Sequence, residues 1–258
     1  MTKEDLSKYH SVKNENITVC GSSQLKYMES YLASPRAKSK QQSKIFYYIC
    51  GHGYPGNVDQ EVELIRILSK AITAHAHDHK LMVRPYPNQA NWDIYKKLQN
   101  EIDVVLDDQY RDGKTGREQT IEDIYLKYDR IRDATAVFHA GTTLGLEASF
   151  LETPVFMFYP FDWDLGASKK SEHISNVFKF QHLRRYLVKD SPNVIRKTNE
   201  IESCIRLAID DVTSALKYNQ ACASQFQLAP METVANRIIT AMTGIALSES
   251  YKRDSVEC

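Results

Sequence analysis

The sequence predicts an α/β domain built on a single doubly wound parallel sheet, with a helical C-terminal tail. Short, continuously apolar runs alternate with amphipathic helical patterns through at least five strands. Such runs suit parallel strands covered on both faces. Polar or glycine-rich groups follow four of those runs directly, at the carboxyl ends where open parallel sheets take up ligands.

In chain order, "NITVC" (16–20) has the composition of a short strand, and "QLKYMESYLAS" that of a helix. The basic, aperiodic stretch "PRAKSKQQSK" (35–44) reads as a linker. "KIFYYIC" (44–50) is apolar, aromatic and β-favouring, and stops at Gly51-His52-Gly53. Val58, Val62, Ile65, Leu68 and Ile72 then recur at helical spacing. "KLMVRPYP" is a strand closed by two prolines, "QANWDIYKKLQN" a helix and "EIDVVLDD" the next strand. A helix follows over "REQTIEDIYLKYDRIRDA", with Ile121, Ile124, Leu126, Tyr128 and Ile131 as its apolar positions. "TAVFHA", "TLGLEASFLE" and "TPVFMFYP" give strand, helix and strand. "NEIESCIRLAIDDVTSALKY" and "METVANRIITAMTGIAL" are amphipathic helices with no strand between them. The expected organisation is an N-terminal segment and linker over 1–43, a Rossmann-like domain over 44–190, and C-terminal helices packing on it over 191–258.

Bulk properties narrow the function classes. The 258 residues can bury a sizeable core. Thirty-three basic residues balance thirty-three acidic ones, so the chain as a whole is not a basic nucleic-acid binder. The sequence shows no membrane-length apolar run and no signal-peptide pattern, which leaves peripheral membrane association as the one open membrane role. Five scattered cysteines without a CxxC favour a reducing compartment, and the expected location is the cytoplasm. "HAHDH" (75–79) sits at a helix end outside any HExxH-type context and reads as solvated, so no metal site is expected. GxSxG, P-loop and GxGxxG motifs are absent, which argues against hydrolase, kinase-like and dinucleotide-cofactor chemistry.

The candidate site is the set of strand ends, which the topology draws to one crevice. After the fourth strand come His139, Gly141, Thr142 and Thr143. Gly141 permits close backbone approach, and the first helical amides with two hydroxyls suit a phosphate. Glu147, one turn on, is placed to accept hydrogen bonds from a vicinal diol such as ribose. The competing reading makes Thr142 a helix N-cap and leaves Glu147 solvated. Gly51, His52 and Gly53 form either a second phosphate-approaching turn or a flexible turn that contains a histidine. Arg84, between a strand and two prolines, is either an unpaired guanidinium clamping an anion or half of a structural salt bridge. The catalytic candidates are His52 and His139. "FDWDLG" (161–166) closes over a sugar or base, or simply packs.

"HAGTTLGLEASFLETPV" resembles the donor-binding signature of GT-B glycosyltransferases, in which a strand, a Gly/Ser/Thr turn and an "EA" helix lead into the next strand. "NITVCGSSQLKYMES" is similar to the segment joining the two halves of such enzymes. "VRPYP" resembles the Arg/His-Pro turn of the branch that makes bacterial surface polysaccharides. The resemblance, over about residues 16 to 190, implies the C-terminal, nucleotide-sugar-binding domain. Thr142 and Thr143 would meet the phosphates and Glu147 the ribose. Gly51 to Gly53 would approach the phosphates, and Arg84 would counter their charge. Retaining members carry a glutamate eight residues before the ribose glutamate, and here that position is His139.

The implied function is the donor-binding half of a GT-B-like transferase in surface-glycan synthesis. An acceptor-binding subunit, a further domain or a second copy would complete it. The nucleotide-sugar is then a substrate, and no cofactor is implied. A non-catalytic nucleotide-binding or scaffolding module and a UDP-sugar epimerase-like domain are the alternatives.

Overall fold

A computed structural model describes residues 11, 13–18, 20, 25, 27–39, 41, 43–52, 55–86, 92–107, 109, 120–160, 163, 191–224 and 235–244. The chain divides into two compact units, residues 35–225 and residues 1–34 with 226–258. In the smaller unit, Asn14–Asn16 is a 3-10 turn and α1 spans Met28–Ala33. Residues 17, 18 and 20 lie in irregular backbone, so the strand expected over 16–20 is not formed there. A strand needs a pairing partner, which β-favouring composition alone does not supply.

The larger unit begins with α2 (Pro35–Lys38), inside the stretch expected to be a linker. Proline suits a first helical position. Arg36 then ties the turn down, reaching Asp129 at 2.5 Å and Glu122 at 2.7 Å. There follow β1 (Ile45–Ile49), α3 (Pro55–His75), β2 (Lys80–Arg84), α4 (Trp92–Glu101) and β3 (Val104–Leu106). Next come α5 (Ile121–Asp133), β4 (Ala136–His139), α6 (Leu144–Phe150), β5 (Val155–Phe158) and β6 (Val194–Ile195). α7 (Glu200–Asp210) and α8 (Val212–Ala223) complete it. In the smaller unit, α9 covers 235–244.

All six strands are parallel, in the order β3-β2-β1-β4-β5-β6. The sixth, only two residues long, was not foreseen. From β1 the chain winds outward to β3, crosses back to β4, and winds the other way. Right-handed crossovers then put α3 and α4 on one face and α5 and α6 on the other. Phe46, Tyr48, Val83, Phe138, Phe156 and Phe158 form the core under Val58, Leu64, Ile65 and Leu68 of α3. Phe138 and Phe156 stack at 5.2 Å.

The helix expected over 199–218 breaks at Asp211, whose φ of −143° and ψ of 65° are not helical. The break lets α7 pack on α3 while α8 packs on α6 and β5. Asn219 of α8 fastens that contact, accepting from the Val155 amide at 3.2 Å and donating to the Thr153 carbonyl. Asn193 donates to the carbonyls of Val155 and Ala215 at 2.9 and 3.0 Å. α5 starts at a capping box, with Thr120 and Asp123 bonding each other's backbone amides. Its buried face is Lys127, Tyr128, Ile131 and Arg132, whereas Ile121 and Leu126 are exposed, contrary to the expected apolar set.

Candidate functional site

Strand order reverses between β1 and β4, so the crevice expected of this topology opens beyond their carboxyl ends. The structure brings Gly51 and His52 of the first turn against Ala140, Gly141 and Thr142 of the second. A Cβ built on Gly51 would lie 3.0 Å from the Gly141 carbonyl oxygen and 3.3 Å from Thr142 Cβ. Gly141 has a φ of 99°, a conformation open to glycine and strained for other residues. His52 is buried, and its Nε2 lies 2.9 Å from the Ala140 carbonyl oxygen. A carbonyl only accepts, so the hydrogen sits on Nε2 and the two turns are joined by this bond. Gly53 lies outside the described residues.

The turn amides point inward. Glu61 of α3 is fully buried and accepts from the Gly51 amide at 2.9 Å, the His52 amide at 3.3 Å and the Tyr48 hydroxyl at 3.3 Å. Burial pushes its carboxyl pKa up, against the opposing pull of His52, the two amides and Tyr48. His139 does the same for the second turn. Its Nδ1 accepts from the Gly141 amide at 3.1 Å and the Thr142 amide at 3.3 Å. Burial lowers the His139 pKa to about 3, so the ring is neutral and Nδ1 is an acceptor.

These bonds correct three expectations. His139 is wholly enclosed and positions the turn, so it is withdrawn as a catalytic candidate. The amides of Gly51, Gly141 and Thr142 are taken by buried side chains rather than offered to a phosphate. The Thr142 hydroxyl is turned to the backbone, accepting from the Leu144 amide at 3.3 Å, although the helix N-cap itself is Thr143 and not Thr142. Thr143 alone of this turn is exposed.

Arg84 is the salt-bridge case. Its Nη1 lies 2.6 Å from Asp107 Oδ2, with Gln109 Oε1 at 3.0 Å and the Tyr47 hydroxyl at 3.3 Å. Asp107 also receives the Tyr47 hydroxyl and Arg130 of α5. Burial pushes the Asp107 carboxyl up, but Arg84, Tyr47 and Arg130 outweigh it and hold the pKa below the usual carboxylate value. Burial, the largest cause, drives the Tyr47 phenol well above its ordinary pKa. An anion clamp made from an unpaired Arg84 is therefore ruled out.

Glu147 is buried rather than solvated, and Lys127 Nζ of α5 stands 2.5 Å from its Oε2. Glu61, Lys127 and Arg130 were all missed in the sequence. The signal for two of them was present: Glu61 and Lys127 are charges on the buried stripe of otherwise regular amphipathic helices. Trp163 packs edge-on against Phe158 and donates to the Arg196 carbonyl at 2.6 Å. The rest of "FDWDLG" lies outside the described residues. At the end of α3, His79 bonds Asp78 at 2.8 Å and His75 faces Glu202 at 3.5 Å.

No family model matches the chain, and no curated protein does. Solved structures do match. A putative UDP-N-acetylglucosamine 2-epimerase from Listeria monocytogenes superposes with a TM-score of 0.53 at 14% identity, over 92% of this chain and 55% of that one. TarM gives 0.44 at 14% identity, over 79% and 36%. The UDP-GlcNAc 2-epimerase of Methanocaldococcus jannaschii gives 0.44 at 9% identity, over 81% and 55%. The chain thus spans about half the length of the first of these, and identities this low speak to fold alone. Among the described residues, no helix is long and apolar enough to cross a membrane. With six parallel strands in Rossmann-like order and helices on both faces, the chain has the fold of the C-terminal type of domain in GT-B enzymes.

Proposed function

We propose that the chain binds a nucleotide-sugar at the β1–β4 switch point, as the donor-binding half of a GT-B-like glycosyltransferase in surface-glycan assembly. The observation that carries this is the meeting of the two turns where strand order reverses, Gly51 packed on Gly141 and His52 bonded to Ala140. Such a crevice is where open α/β sheets hold nucleotides. In this reading the exposed Thr143 hydroxyl donates to a phosphate, and Glu147 accepts from the ribose. His52 remains the catalytic candidate on this chain. Glycosyl transfer needs an oriented acceptor and a stabilised leaving phosphate. The acceptor side comes from a partner subunit, a further domain or a second copy. The nucleotide-sugar is consumed as substrate in the cytoplasm, with no resident cofactor.

One observation favours a non-catalytic binding module instead: the amides of Gly51, Gly141 and Thr142 are held by Glu61 and His139. Calorimetric titration with UDP, CMP, CDP and GDP tests the binding step. The expected result is one nucleotide bound, with affinity reduced by Thr143→Val and by Glu147→Gln. Binding of none of the four, or binding indifferent to both substitutions, overturns the proposal. Binding without transfer, in the presence of every acceptor and partner offered, moves the module reading ahead.

A further inference from the structure

A lysine is seldom buried without a partner, and Lys127 lies on the buried face of α5 with a tenth of its side chain exposed. Its ammonium makes two contacts of opposite kind. Glu147 Oε2 is 2.5 Å away, and the Tyr128 ring centroid is 4.8 Å away. The Glu147 side chain is equally enclosed, and its Oε1 makes no hydrogen bond among the described residues. Lys127 therefore holds Oε2 as an ion pair rather than through an aligned hydrogen bond, and its charge is what restrains the carboxylate.

The helix that carries Lys127 is itself held fast. The capping box secures its start, and Arg130, three residues beyond Lys127, binds Asp107. α5 thus grips a carboxylate on α6 and another at the end of β3, through two cations on neighbouring turns. A buried ion pair is weak evidence for stability, since desolvation offsets much of the attraction. Its value lies in fixing geometry, and here the fixed group is a carboxylate one helical turn after the exposed Thr143.

We propose that Lys127 is the positioning residue of a ribose subsite: by fixing Glu147 Oε2 it orients Oε1 to accept from a nucleotide's vicinal diol. The inference rests on the nucleotide reading given above. It adds a residue that touches no ligand and acts only through Glu147. Because the diol is the group read, its signature is the preference for a ribonucleotide over the matching 2′-deoxynucleotide. A hydrogen bond to a charged acceptor makes that preference about ten- to a hundredfold in the wild type.

The test measures that preference by calorimetry in the full chain, for the nucleotide the wild type binds, and then in Lys127→Arg, Lys127→Gln and Lys127→Met. Arginine keeps charge and donor, glutamine keeps a donor, and methionine keeps neither. The preference is expected to fall in that order while the deoxynucleotide affinity stays nearly constant. Should the methionine variant fail to fold, the contrast between arginine and glutamine still decides. Equal losses for both nucleotides in the variants would mean a purely structural ion pair and would overturn the inference. So would a preference that Glu147→Gln abolishes and the Lys127 variants leave intact, and in that case the site reading survives. A wild type that binds no nucleotide overturns both, before any Lys127 variant is made.

Discussion

Gly145 is where a small substitution tests the whole arrangement of the second turn. In a helix, Gly→Ala ordinarily stabilises by about 1 kcal/mol, since alanine loses less backbone freedom on folding. Gly145 lies inside α6, so propensity alone argues for that gain. The structure argues the reverse. A Cβ at Gly145 would fall well inside contact distance of His139 Nε2 and 3.0 Å from both Cδ2 and Cε1. The ring cannot swing aside freely, because it is fully buried and its Nδ1 holds the amides of Gly141 and Thr142.

Overpacking a filled site costs about 1–3 kcal/mol. Displacing the ring puts two amide bonds at risk, each worth about 1 kcal/mol and more if left buried without a partner. Set against a gain of about 1 kcal/mol, Gly145→Ala should destabilise the chain by about 1–3 kcal/mol. Urea unfolding read by circular dichroism measures it. Gly244, where an added Cβ meets nothing within 4 Å, supplies the contrast, and Gly244→Ala should be neutral or mildly stabilising. In a His139→Ala background, Gly145→Ala should also lose its cost, because the clashing ring is gone. A Gly145→Ala chain as stable as the wild type would refute the claim that His139 is wedged between the turn and α6.

Other consequences follow from the buried charges. Asp107→Asn removes the charge that Asp107 sets against the buried Arg84 and should cost about 3–5 kcal/mol in the same unfolding assay, a loss below about 1 kcal/mol counting against the network. Because the folded Asp107 pKa is lowered, its contribution is present above the unfolded value of about 3.9 and is lost as pH falls through the folded one, and the asparagine variant should lack that acid step. His139 titrates near 3 when folded and near 6.5 when unfolded, so the unfolded chain takes up the proton first. Stability present above about pH 6.5 is then lost as pH falls towards 3, by up to about 1.4 kcal/mol per pH unit. Unfolding between pH 7.5 and 5 should be flatter in His139→Asn, and equal slopes would count against a buried neutral ring.

The five longer strands were legible because each is a continuous apolar run ending at a polar or glycine-bearing turn, and "IFYYI" and "VFMF" have nowhere to lie but a sheet covered on both faces. β6 was not, since two residues carry no period; Val194–Ile195 is a strand only because β5 is beside it. The turn at Pro35–Lys38 escaped for a related reason: Arg36 is fixed by Asp129 and Glu122, 93 and 86 residues away in sequence. Of the site, the positions that would converge could be read from topology. Partners could not. Nothing local to "VRPYP" says that Arg84 will find Asp107, and nothing in "HAGTT" says whether the histidine faces the ligand or the turn.

That last ambiguity bears on how the crevice could recognise anything. A strand-to-helix turn binds phosphate by presenting free amides to it. Here Glu61 and His139 hold the amides of Gly51, His52, Gly141 and Thr142, and the His52–Ala140 bond joins the turns. The backbone of both turns is therefore organised by side chains behind it. In the proposed reading, the ligand meets side-chain chemistry among the described residues: the exposed Thr143 hydroxyl and the Glu147 carboxylate. A hydroxyl and a carboxylate discriminate better among sugar hydroxyls than among phosphates, because an unpaired acceptor penalises any ligand lacking the matching donor. His139, eight residues before Glu147, is the residue that turns the Gly141 and Thr142 amides inward.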